Sequence, residues 1–193
     1  MMKKIEEFAQ LRKSDIPLVK SLKGKVIQYI SFNYDAFINT TSSHTEISTQ
    51  EVILVLDDKE IIVNNHCHES EYGTGLQYLL LREAERSNRP YHFNYKNENF
   101  VGVVQGVQVL GFKNIEQEWD SIKLELYKEK GVIPTDIDEL VHKYSSQHII
   151  RLILSNNNSI YIVSDLPNFL FIKMFAEGRE KDYFKEYYTW IDV

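Results

Sequence analysis

The chain has 193 residues, 43% hydrophobic and 26% charged, with one cysteine and a net charge of −6. That apolar content excludes a disordered chain, the lone Cys67 excludes an internal disulfide, and the acidic balance argues against nucleic acid, whose phosphates it would repel. No apolar run approaches the ~20 residues needed to span a bilayer, and Lys3, Lys4, Glu6 and Glu7 lead into no apolar signal core, so a cytoplasmic protein with no membrane partner is expected.

Residues 3–12 place Ile5, Phe8, Ala9 and Arg12 on one helical face. A second helical turn is expected after Asp15, a capping residue, with Pro17 in the first turn and Gly24 as the stop. Residues 24–32 read as a strand, and 33–49, rich in Thr and Ser, as a long loop holding a weak strand. Val52 to Leu56 and Ile61 to Val63 flank Asp57-Asp58-Lys59-Glu60, the pattern of a β-hairpin. Its strands lack strict alternation, so cover on both faces is expected. Residues 74–87 read as a helix with Leu76, Leu79, Leu80 and Ala84 on its apolar face.

In the second half, residues 101–112 predict a strand in which Gly102 and Gly106 mark a bulge or a close backbone approach. Residues 114–127 fit a helix giving way to a strand after Trp119, and 135–144 fit a helix opened by Pro134 and capped by Thr135 and Asp138. Ile149 to Leu154 and Ile160 to Val163 flank Asn156-Asn157-Asn158, a second hairpin. In the tail, Tyr183, Tyr187 and Trp190 recur at helical spacing.

The expected class is α+β: antiparallel hairpin sheets with flanking helices. The two halves, 1–95 and 96–193, share a plan of a Gly-led strand containing a Gln, an insert, and an apolar hairpin. An internal duplication and the chance recurrence of a common hairpin pattern both account for it, and the halves could equally form one compact domain.

Candidate sites are sparse. His66-Cys67-His68-Glu69 follows a strand, where His66 and His68 share a face and could ligate zinc, though no neighbour completes a ligand set. Cys67 as a nucleophile would need a distant base such as His142 or His148. Gly73-Thr74-Gly75 lacks the lysine and spacing of a phosphate loop. Asp57 and Asp58 sit in a turn, open to a partner. Tyr183, Tyr187, Tyr188 and Trp190 are of the residue types enriched in interfaces.

These features point to a non-catalytic module that binds a protein partner, with no cofactor. In size, charge and expected architecture the chain resembles small acidic bacterial toxin-neutralising (immunity) proteins, although no motif carries the likeness. The alternative is a small enzyme, or a ligand- or metal-binding protein, that uses His66 to Glu69. Pairing into a homo-oligomer through a sheet edge is a further option.

Overall fold

The computed structural model describes residues 15–42, 44–69, 75–112, 149–166, 169–180 and 187–193. Among them are one α-helix, α1 (Ile16–Lys20), and one 3-10 turn (Glu98–Phe100). The strands are β1 (Val26–Asn33), β2 (Phe37–Thr40), β3 (His44–Thr49), β4 (Glu51–Leu56), β5 (Glu60–Glu69), β6 (Gly75–Ala84), β7 (His92–Tyr95), β8 (Gly102–Phe112), β9 (Ile149–Leu154), β10 (Ser159–Leu166), β11 (Phe169–Phe175) and β12 (Tyr187–Asp192). The α+β expectation with flanking helices is thereby corrected: the described chain is nearly all antiparallel sheet.

Three segments account for the correction. Residues 75–84 form a strand, paired with β5 over ten positions from Glu60↔Ala84 to Glu69↔Gly75. Leu, Arg, Glu and Ala favour a helix by only ~0.7 kcal/mol per residue or less over other ordinary residues. Burying Leu79 and Leu81, which are fully enclosed while Leu80 between them is half-buried, contributes about 1.5–3 kcal/mol each. Tertiary pairing therefore overrides local preference. The tail from Tyr187 is likewise a strand, β12, laid on β8. The polar stretch after Asn33 holds two strands, and β3 pairs with β11 from His44↔Phe175 to Thr49↔Leu170. The helices expected at 3–12 and 135–144, and the segment 114–127, lie outside the described residues.

Both hairpins form where the pattern placed them. Leu56 N–H donates to Lys59 O at 2.9 Å, closing the turn around Asp57 and Asp58. In the second, Leu154 N–H donates to Asn158 O at 2.9 Å, and Asn157 takes the left-handed conformation at φ 61°, which Asn tolerates better than most side chains. Asp15 precedes α1 but makes no side-chain cap. Its Oδ2 instead accepts from the Leu81 N–H at 3.4 Å and ties the helix to β6.

The strands run in the order β2-β3-β11-β10-β9-β8-β1-β4-β5-β6, with β7 on β1 and β12 on β8. β1 and β8 meet only at Val26↔Val103 and Ile27↔Gly102. Beyond that junction the sheet splays, β7 continuing along β1 and β12 along β8. Outward from the junction the two sides match: β1-β4-β5-β6 on one, β8-β9-β10-β11 on the other. The bulges match too, at Gln28 on β1 against β4 and at Gln105 on β8 against β9. Gly102 sits at the junction with φ 129°, a conformation that side-chain-bearing residues rarely adopt.

The two sides fold over one another. Ile30, Phe32, Leu54, Ile61 and Leu79 from one share a single core with Val107, Leu152, Ile160, Ile172 and Met174 from the other. Alternate residues leave this core: Ile53, Val55 and Ile62 pack with Tyr29 and Ala84, and Leu110, Ile149, Tyr161, Val163 and Phe175 form a third cluster. Cover on both faces explains the unbroken apolar runs. No helix among the described residues is long and apolar enough to cross a membrane.

Candidate functional site

The turn carboxylates are engaged within the chain. Lys25 Nζ lies 3.1 Å from Asp58 Oδ2, and Gln28 Nε2 donates to Asp57 Oδ1 at 2.6 Å. The hydrogen bond from Lys25 holds the Asp58 carboxyl below the usual carboxylate range. Gln28 reaches the turn because it occupies the β1 bulge, and its Oε1 accepts from Arg86, which also donates to Leu56 O at 2.5 Å. Asp57 and Asp58 thus brace the start of β1.

His66, Cys67 and His68 lie in β5, opposite Tyr78, Gln77 and Leu76. Among the described residues no group of three His, Cys, Asp or Glu could hold a metal ion. His142 and His148, the distant bases considered for Cys67, lie outside the described residues. Tyr187 and Tyr188 pair with Phe112 and Gly111, and Trp190 falls at the register irregularity between Thr189 and Ile191. Tyr183 lies outside the described residues.

A different surface gathers exposed apolar groups. Tyr34, Phe37, Ile38, Tyr91 and Phe93 are 66%, 71%, 40%, 79% and 44% exposed. Tyr34 comes from the turn joining β1 to β2, Phe37 and Ile38 from β2 itself, and Tyr91 and Phe93 from the entry and body of β7, which is laid on β1. The Tyr34 N–H donates to Tyr91 O at 3.3 Å, joining the two segments. Beneath them the buried Phe32 ring packs against Phe93 and Tyr95 at 5.8 Å and 6.0 Å between centroids. Water strands such side chains at a cost of about 25 cal/mol per Å² of apolar surface. Clustered exposure of this kind marks interaction sites.

The surface is held rigidly from below. Glu60, with a side chain 4% exposed, accepts two hydrogen bonds from Arg89 at 3.1 Å and 3.2 Å and one from the Ser87 N–H at 3.3 Å. Arg89 O in turn accepts from the His92 N–H at 3.1 Å. The His92 imidazole donates through Nε2 to Glu51 Oε1 at 3.1 Å, and Glu51 Oε2 accepts from Asn64 at 3.0 Å with Arg82 at 3.8 Å. The loop carrying Tyr91 is thereby fixed to β4 and β5.

A second polar cluster lies on the other side of the sheet. Arg151 donates to Gln108 at 3.0 Å, Ser159 at 3.2 Å and Glu180 at 2.6 Å, with its guanidinium 5.4 Å from the Tyr161 ring centroid. Burial pushes the Tyr161 phenol up to about 12, with the Glu180 charge adding to it and Arg151 opposing. These contacts anchor the chain that leaves β11, as Glu60 and Arg89 anchor the chain that leaves β6.

Sequence reasoning missed the exposed aromatics because it read residues 33–49 as a long loop holding a weak strand and assigned no element to the stretch after the helix expected at 74–87. The available signal was the density of aromatics among turn residues, with Tyr34 and Phe37 flanking Asp35-Ala36 and Tyr91 following Pro90. Comparison with protein-family models, with curated proteins and with solved structures found no match.

Proposed function

We infer that this chain is a non-catalytic recognition module that presents Tyr34, Phe37, Ile38, Tyr91 and Phe93 to a protein partner. The observation that carries this reading is five large apolar side chains, 40–79% exposed, carried by the β1–β2 turn, β2 and the β7 region, where the buried Glu60–Arg89 pair braces the chain before Tyr91. Tyr and Phe side chains supply much contact area for few rotatable bonds, and aromatic residues are enriched in interface cores. The net charge of −6 favours a basic partner and speeds its approach. Toxin neutralisation of the immunity type is the form of recognition that this size and acidity suit.

The test uses the full chain as bait in an extract of the cell it comes from, beside Tyr91→Ser and Phe93→Ser. The expected result is a basic protein that binds the parent chain and loses at least ~30-fold in affinity for Tyr91→Ser, the size of an aromatic hot spot. Far-ultraviolet circular dichroism shows whether the variants keep their fold. Equal binding by folded parent and variants, or turnover of a small substrate that Cys67→Ala abolishes, overturns the reading.

A further inference from the structure

The two strands that end the described sheet order, β2 and β6, are built differently. β6 carries Arg82 and Glu83, both exposed, and such charges blunt a free edge against unwanted pairing. β2 is Phe37-Ile38-Asn39-Thr40, with neither charge nor proline, and all four residues are exposed. It pairs with β3 from Phe37↔Ser48 to Thr40↔Thr45 and meets no other strand among the described residues. The Thr41 N–H donates to His44 O at 2.9 Å, which fixes the alternation of the ladder. Phe37 and Asn39 turn their backbone groups toward β3, and Ile38 and Thr40 turn theirs outward.

We propose that β2 accepts an added antiparallel strand from a basic protein partner. This rests on reading the adjoining aromatic surface as a partner-binding face, and it names the mode of recognition there. The outward N–H and C=O groups of Ile38 and Thr40 supply the hydrogen bonds. Phe37 and Ile38, on opposite faces of the strand, supply apolar contact for alternate side chains of the incoming segment.

Charge selects the occupant. A second copy of this chain, paired β2 to β2 about a two-fold axis, would meet the same backbone groups. It would also bring together two chains of net charge −6, which repel. A strand flanked by lysine or arginine enters the same field attractively, and the exposed Asp35 stands two residues before β2.

The test adds synthetic seven-residue peptides, Val and Thr alternating between terminal Lys residues, to the full nitrogen-15-labelled chain. The same peptides with terminal Glu are the control. The Lys-ended peptide is expected to slow amide exchange at Ile38 and Thr40 roughly 10-fold at saturation, and the Glu-ended peptide to leave it unchanged. Ile38→Pro removes an outward N–H without breaking the β3 ladder, as an edge strand permits, and is expected to abolish the effect. Thr40→Pro serves in its place should Ile38→Pro not fold.

Three outcomes overturn the proposal: no slowing by the Lys-ended peptide, equal slowing by both peptides, or slowing on concentrating the chain alone, with a dimer in sedimentation. The last assigns β2 to a second copy. If any of these occurs while Tyr91→Ser still abolishes partner capture, strand addition fails and the aromatic surface stands as the binding face.

Discussion

Arg89→Ala is the sharpest probe of how this fold presents its surface. The Glu60 carboxylate is enclosed, with a side chain 4% exposed, and takes three hydrogen bonds, two of them from Arg89. Truncating Arg89 leaves the Ser87 N–H alone to stabilise a buried anion. Breaking one partner of a buried pair typically costs 3–5 kcal/mol. Arg89 is 24% exposed, so water can reach part of the gap and the low end, about 3 kcal/mol, is expected. For a chain of this length each kcal/mol moves the unfolding midpoint by ~2–4 °C, so a drop of roughly 6–12 °C should follow in scanning calorimetry. The double variant Glu60→Leu/Arg89→Leu removes both charges and should recover most of that loss. Because the loop of Tyr91 hangs on this pair, hydrogen exchange in β7 should quicken in Arg89→Ala while β9 and β10 stay protected. A midpoint within about 2 °C of the parent, or no recovery in the double variant, refutes the reasoning.

Other variants test separate parts of the structure. Leu79→Ala should cost ~2–5 kcal/mol and the half-buried Leu80→Ala clearly less, measured by urea unfolding; equal costs would fit the helical face drawn from sequence instead of strand β6. The Tyr161 phenol, raised to about 12, stays neutral in the fold after the unfolded chain has ionised near its ordinary ~10. The stability it contributes is present below pH 10 and lost as pH rises from 10 to 12, so Tyr161→Phe should flatten the fall in the unfolding midpoint across that window. Asp58→Asn, at an exposed ion pair with Lys25, should leave the midpoint unchanged at any salt concentration; a clear drop would show that the start of β1 depends on it.

What the residues announced was local. The hairpins around Asp57-Asp58 and Asn156-Asn157 could be read because a few turn residues and their apolar flanks decide them. The bulge on β8 was legible in its glycines, and the strands buried on both faces in their unbroken apolar runs. The helical spacing of Leu76, Leu79, Leu80 and Ala84 misled because Leu79 and Leu81 fit the strand period as well, and the helical spacing read in the tail misled from Tyr187 onward, where the chain pairs as a strand. The choice between periods fell to partners remote in sequence, β5 for one segment and β8 for the other.

The candidate surface belongs to that remote kind of information. Tyr34 and Tyr91 are far apart in the chain, and their turn neighbours do not show that they meet. They meet because β7 returns to lie on β1, and they stay exposed because Phe32 and Tyr95 fill the space beneath. Composition and turn chemistry determined that this chain folds and where its hairpins bend, since both depend on interactions within a few residues. The pairing of β3 with β11, the β1–β8 junction and the exposure of the aromatics were decided only in three dimensions, because backbone hydrogen bonds between strands carry no sequence label and their register is set by which side chains the finished core can enclose.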